Sequence, residues 1–251
     1  MLWWRYSRHK YRTEWEKCAT ADCKYLFRRF SDNLICKENI IFQQRPEFKD
    51  YENKTLLMLG GGGSTNTMDW DRLGDYDYIW SANHFFLHPI LKNKKMDLVM
   101  MMAEPNLKGK EWLEYRNKFR PLVGVEVSGK WEQYPFDSYE KYFCMHTYRY
   151  DILGACVRMI EFACELGISH LDFIGLDGIE ATMEGNHAFQ PGKTTIPTGL
   201  AHYKNLSPAK IYQKEYDSFW DYIIDKYPTV SFKNLGGGEK YHEKVMRHHS
   251  G

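Results

Sequence analysis

The stretch TLLMLGGGGSTNTMDW, Thr55 to Trp70, decides the fold. Thr55 to Leu59 form an apolar run without polar alternation, the pattern of a strand covered on both faces. The run breaks into four glycines, Gly60, Gly61, Gly62 and Gly63, followed by Ser64, Thr65, Asn66 and Thr67. Glycine loses more backbone freedom on folding than any other residue, so four in succession imply a close approach that excludes side chains. A strand that opens into such a turn can present backbone amides to a phosphate. The stretch is no P-loop, because GK[ST] is missing, and Thr65 stands where a GxGxxG pattern has its last glycine. A glycine turn packed on a neighbouring strand accounts for the same residues without a ligand.

Working outward, apolar runs recur at 78–83 (YIWSAN), 97–104 (DLVMMMAE), 121–127 (PLVGVEV), 171–178 (LDFIGLDG) and 229–234 (TVSFKN). Helical patterns lie between them. In 151–170, Ile152, Cys156, Met159, Ile160, Ala163 and Cys164 recur at helical spacing, and Gly167 sits where a helix C-terminal glycine belongs. Residues 207–228 read as a second helix with Ser207 as N-cap, Pro208 in the first turn and Pro228 as the stop. Strand–helix alternation predicts an α/β, Rossmann-like, three-layer fold with a mostly parallel sheet. Residues 1–50 read as a helical, basic, aromatic extension, and 51–251 as one domain. Within it, 179–206 is a long polar loop, and loops of that length in compact domains usually serve function as lids or binding segments.

Composition excludes some classes. A net charge of +1 gives no global attraction to nucleic acid or to an acidic membrane. The charge is uneven, however: eight Lys and Arg face three acids in residues 1–30, interleaved with tryptophans and tyrosines. That suits either a solvated terminus or an arm for polyanions. The six cysteines form no CxxC pair and no secretion signal accompanies them, which predicts a reducing, cytoplasmic location. No run approaches the roughly 18 apolar residues of a spanning helix.

In open α/β sheets, ligands bind where strand carboxyl ends meet. The strands here end in Ser81 and Asn83, in Glu104 and Pro105, and in Gly175 and Asp177. Two histidines in the late loop region, His187 and His202, can take a proton from a hydroxyl nucleophile near neutral pH. The Asp-x-Asp strings Asp69/Asp71 and Asp75/Asp77 invite a metal–diphosphate reading, but Asp69 falls at a helix-cap position and Asp75 and Asp77 precede a strand instead of following one. No His/Cys cluster has zinc spacing.

Taken together, LGGGGSTNTMDWDRLGDYDYIWSANHFF (59–86) resembles the N-terminal signature of the bacterial CMP-sialic-acid-dependent sialyltransferases that build lipooligosaccharide. There a G-x-G-P-S loop precedes D-[aromatic]-x-R-L and a strand ending in C-N-[polar]-F. Gly60, Gly62, Ser64, Asp69, Arg72, Leu73, Asn83 and Phe85 match it without a gap. LGACVRMIEFACELGISHLDFIGLDG (153–178) is similar to a second family segment, and AHYKNLS (201–207) to its S-H-Y segment, which carries the general base. The resemblance implies a glycosyltransferase A-type variant of the Rossmann-like fold and metal-independent transfer from a nucleotide sugar, with no cofactor beyond that co-substrate. It implies that Gly61, Gly62, Gly63 and Ser64 face the nucleotide phosphate, Asn83 and Glu104 the donor sugar or ribose, and Asp177 the nucleotide. His202 would deprotonate a saccharide acceptor.

Four positions depart from the family pattern: Gly63 replaces its proline, Leu153 its serine, and Gly178 and Ile179 the tyrosines that stabilise the departing phosphate. That last task then falls to Lys193, Thr194, Thr195 or His187, by charge or hydrogen bonding. The departures leave the donor sugar open. Two further readings stand beside this one: glycosylation of a hydroxylated base in DNA, gripped by residues 1–30, and a nucleotide-binding or pterin-pyrophosphokinase-like protein of the same fold.

Overall fold

The computed structural model describes residues 33–71, 75–101, 109–126, 141–147, 153–177, 187–192 and 208–236. The expectations for residues 1–32, Glu104, Lys193, Thr194, Thr195, His202, Ser207 and most of the 179–206 loop lie outside the described residues. Nine strands are described: β1 (Leu34–Cys36), β2 (Ile40–Gln43), β3 (Thr55–Leu59), β4 (Tyr78–Ala82), β5 (Leu98–Met101), β6 (Leu122–Glu126), β7 (Tyr142–Thr147), β8 (His170–Ile174) and β9 (Ser231–Asn234). The α-helices among these residues are α1 (Lys110–Phe119), α2 (Ala155–Glu165) and α3 (Pro208–Lys226). No helix of the described residues is long and apolar enough to cross a membrane.

The strands form one sheet in the order β1-β2-β7-β6-β5-β4-β3-β8-β9. From β7 to β9 every pairing is parallel, while β1 and β2 are antiparallel additions at one edge. The α/β, mostly parallel reading is therefore the observed architecture. The reason lies in the strands themselves. In β3, Leu56 and Met58 pack on one face with α2 and α3, whereas Leu57 and Leu59 pack on the other with Trp112 and Tyr115 of α1. All four are fully buried, so no polar alternation survives.

Phe162 of α2 sits at the centre of the first layer, edge-on to Phe42 and Phe48 and stacked on Phe143 and Trp80. Helix α2 ends as its glycine predicts. Gly167 has a φ of +85°, its amide bonds the Cys164 carbonyl, and the Ile168 amide reaches back to Ala163. This is the Schellman arrangement, which satisfies carbonyls that the last turn leaves open.

One expectation fails. Residues 34–50 are not helical extension: β1 and β2 form a hairpin that joins β7, and a 3-10 turn spans Pro46–Tyr51. Ile40, Ile41 and Phe42 are buried in the same core as the rest of the sheet. Three- and four-residue strands acquire their conformation from the partner they pair with, which local pattern does not reveal.

Candidate active site at the sheet crossover

From β3 the chain builds β4, β5, β6 and β7 outward in one direction, and β8 then returns to the other side of β3. The point where strand order reverses opens a crevice at the strand carboxyl ends. The glycine turn after β3 and the Gly175–Asp177 turn after β8 meet there, zipped by direct hydrogen bonds. The Gly60 amide donates to the Ile174 carbonyl at 2.8 Å and the Gly62 amide to the Gly175 carbonyl at 2.8 Å.

This pairing explains the glycines. A Cβ on Gly60 would collide with the Gly175 carbonyl, and one on Gly62 would lie 2.5 Å from Asp177 Oδ2 and 2.7 Å from the Gly175 oxygen. Gly175 itself has a φ of +75° and faces the Thr65 hydroxyl and the Gly60 carbonyl. Gly61 is short of space for another reason: its Cβ would stand 2.5 Å from His187 Cε1 and 2.7 Å from His187 Nε2. The immediate neighbours that exclude side chains from three of the four glycines are thus the protein's own turns.

Ser64 is committed within the protein. Its amide donates to Asp177 Oδ2 at 2.7 Å and its hydroxyl to Asp177 Oδ1 at 2.5 Å, while the hydroxyl oxygen accepts the Gly175 amide at 3.0 Å. Thr65 is buried, with its hydroxyl on the Gly60 carbonyl. The loop after β9 adds a third wall, since a Cβ on Gly236 would lie 2.6 Å from the Ser64 hydroxyl. Within Gly60–Ser64, the amides of Gly61 and Gly63 are the two that bond no acceptor among the described residues.

His187 lies across this turn. The neighbouring Ala188 amide donates to the Gly61 carbonyl at 2.8 Å, and Phe189 is buried in the core beside Leu59 and Ile174. His187 Nδ1 accepts the amides of Phe189 and Gln190, each at 3.2 Å. A nitrogen that accepts carries no proton, so Nε2 carries it. Behind the turn, the buried His88 is held in the same way. Its Nδ1 accepts the Ile90 and Leu91 amides at 3.3 Å, and its Nε2 lies 3.2 Å from Asn66 Oδ1. Burial pushes the His88 pKa down.

Gly60, Gly61, Gly62, Gly63, Ser64, Thr65, Gly175, Asp177 and His187 therefore converge. Asn83 ends the adjacent β4 at a left-handed φ of 52°, with its amide on the Met100 carbonyl. Of the aspartate strings, Asp77 anchors the start of β3, at the opposite end of that strand from the crevice, accepting the Thr55 amide and hydroxyl at 2.9 Å, and Asp69 accepts the Asp71 amide.

Local sequence reasoning did not single out a buried charge cluster farther along the same edge. Glu126 ends β6 fully buried, and its Oε1 lies 3.2 Å from Arg158, 3.2 Å from His146 Nδ1 and 3.0 Å from the Thr147 amide. Burial pushes its carboxyl up, yet Arg158 and His146, helped by the Thr147 amide, outweigh that and hold it below the usual range. The signal was a lone glutamate closing the apolar run LVGVE.

The sequence matches no protein-family model and no curated protein. Among solved structures, the chain is similar to an asparagine-to-alanine variant of the sialyltransferase CST-II in complex with CMP. The match has a TM-score of 0.51 and 16% identity, covering 72% of this chain and 81% of that one. The sialyltransferase CstII from Campylobacter jejuni in complex with cytidine-5'-monophosphate aligns with a TM-score of 0.49, 15% identity and coverage of 73% and 80%. The monofunctional alpha-2,3-sialyltransferase Cst-I from Campylobacter jejuni gives 0.47, 16%, 72% and 75%. The chain has the fold of the sialyltransferase CST-II.

Proposed function

We propose that the chain is a glycosyltransferase that moves a sugar from a nucleotide-sugar donor to a saccharide hydroxyl without a metal. The observation that carries the reading is the crossover crevice, where a glycine turn with two uncommitted amides is fixed against Asp177 and His187. The fold match to CST-II, solved with CMP, supports a nucleotide in such a crevice.

The Gly61 and Gly63 amides hold donor phosphate, and Asn83, one strand over, meets the donor sugar or ribose. Asp177, fixed by Ser64, faces the nucleotide. Glu104 contacts the donor sugar or ribose, and Lys193 or Thr194 stabilises the departing phosphate by charge or hydrogen bonding. The acceptor oxygen attacks the anomeric carbon as the bond from that carbon to the phosphate oxygen breaks. His202 takes the hydroxyl proton, and the phosphate leaves with the electron pair.

The test is transfer or hydrolysis across CMP-, UDP-, GDP- and TDP-sugars, with and without EDTA. Turnover of one donor unchanged by EDTA is expected. Activity abolished by EDTA and restored by Mn²⁺ would refute the metal-free part, and full activity in His202→Ala would refute the base.

A further inference from the structure

We propose that a cavity at the amino ends of β4, β5 and β6 is a second binding site, for a saccharide that carries a carboxylate. It stands apart from the transferase reading, because the crossover crevice lies at the carboxyl ends of the sheet. A five-residue strand such as β4 spans roughly 16 Å, so a ligand in the cavity does not reach the reacting atoms.

The cavity has a volume of about 330 Å³, at the small end of the range for ligand pockets. Tyr51 and Tyr78, with ring centroids 4.3 Å apart, line it together with Phe119. Aromatic walls of this kind suit the apolar face of a sugar ring.

The charges around it divide into those the protein matches itself and those it does not. Arg45 grips both oxygens of Glu47, at 3.0 and 3.3 Å. Asp97 accepts the Ile79 amide at 2.9 Å and the Lys95 ammonium at 2.8 Å. The side chains of Asp50, Arg120 and Lys141 bond nothing among the described residues, and Lys141 adds only a longer-range attraction to Glu47. Two cations against one carboxylate leave one positive charge over, which a single carboxylate on the ligand neutralises.

Asp50 and Tyr51 select the rest of the ligand. An ionised carboxylate only accepts hydrogen bonds, so the molecule beside Asp50 must bring hydroxyl groups, as a sugar ring does. Tyr51 is 4% exposed, and its O–H donates to no acceptor among the described residues. Burial, helped by the Asp97 charge, pushes the phenol up, so it keeps its proton. A ligand oxygen supplies the acceptor that a buried donor needs.

Arg120 is an independent sign. It closes α1 at a φ of 49°, with its amide on the Arg116 carbonyl at 2.8 Å. Glycine is the usual residue at a left-handed helix end, because it has no Cβ to strain. An arginine held there at a conformational cost sets a guanidinium fork, which fits a carboxylate, on the cavity wall.

Arg120→Gly is the decisive variant, since it relaxes the backbone while it deletes the cation, and it should melt no lower than wild type. In ¹H–¹⁵N spectra of the full chain, D-glucuronate should shift the amides of Tyr51, Asp97, Arg120 and Lys141 and leave those of Gly61 and Gly63 in place. The affinity read from those shifts should fall about 10- to 100-fold in Arg120→Gly and about 3- to 10-fold in Tyr51→Phe, which keeps the ring. D-glucose, without the carboxylate, and benzoate, without hydroxyls, should each bind about 10-fold more weakly than glucuronate. Equal binding of benzoate or inorganic phosphate overturns the saccharide assignment. No shift at the cavity with glucuronate, or shifts confined to the crevice, overturns the site. Should Arg120→Gly fail to fold, the Tyr51→Phe and Lys141→Gln titrations decide on the same terms. Absence of turnover with every sugar donor refutes the transferase reading and leaves the cavity result intact.

Discussion

Gly62→Ala tests whether the glycine turn is shaped by the protein's own β8 turn. The backbone at Gly62, with φ −70° and ψ 163°, suits alanine, so the substitution by itself stabilises by about 0.4–1 kcal/mol through the unfolded chain. Against that, the new methyl meets Asp177 Oδ2 at 2.5 Å and the Gly175 carbonyl at 2.7 Å. Separating the turns loses the Gly62–Gly175 bond, about 1 kcal/mol, and weakens the part-buried Ser64–Asp177 contact, about 1.5–3 kcal/mol. The net expected cost is about 2–3 kcal/mol. For a chain of this size that is a fall in Tm of roughly 4–12 °C by calorimetry. Gly109→Ala is the control, since its nearest neighbour among the described residues would be Glu111 Oε2 at 3.8 Å and its cost should stay under about 0.5 kcal/mol. A Gly62→Ala protein as stable as the control would refute the steric reasoning.

Two buried glutamates should respond to pH with opposite sign. Glu126 has a folded pKa below its unfolded value of about 4.3, so its contribution is full above that value and is lost as pH falls through the folded one. Glu126→Gln should flatten that acid-side loss in urea midpoints between pH 3 and 8, and should cost about 3 kcal/mol at pH 7 by leaving Arg158 buried beside a neutral partner. Glu161 is raised, chiefly by burial, so stability falls as pH climbs above about 4.3, and Glu161→Gln should remove that fall. Profiles parallel to wild type would refute both assignments. Phe162→Ala empties the centre of four aromatic contacts and should cost about 3–5 kcal/mol in the same assay, with a loss under 1 kcal/mol arguing against that packing.

The parallel strands were legible because burial on both faces writes itself into consecutive residues such as Leu56–Leu59. Helix α2 was legible from its spacing and Gly167, yet Arg158 and Glu161, charged residues outside that apolar set, are also buried. Their partners come from elsewhere in the chain: Glu126 of β6 for the one, Asn39 and Tyr222 for the other. The glycines of the β3 turn announced that no side chain fits, and nothing local could say that Gly175, Asp177 and His187 were the neighbours. The tautomer of His187 was equally hidden, since it is set by the two amides that follow it once that turn has folded.

The hairpin of β1 and β2 also governs how the molecule meets its own copies. Without it, the six-residue β7 would end the sheet with a run of open amides and carbonyls. With it, the outermost strands among the described residues are β1 of three residues and β9 of four, the latter carrying an exposed Lys233. An incoming chain would find a template too short to register more than a few hydrogen bonds, with a lysine on one side. Ladder growth from either margin is thereby discouraged, which guards a wide parallel sheet against stacking into fibres.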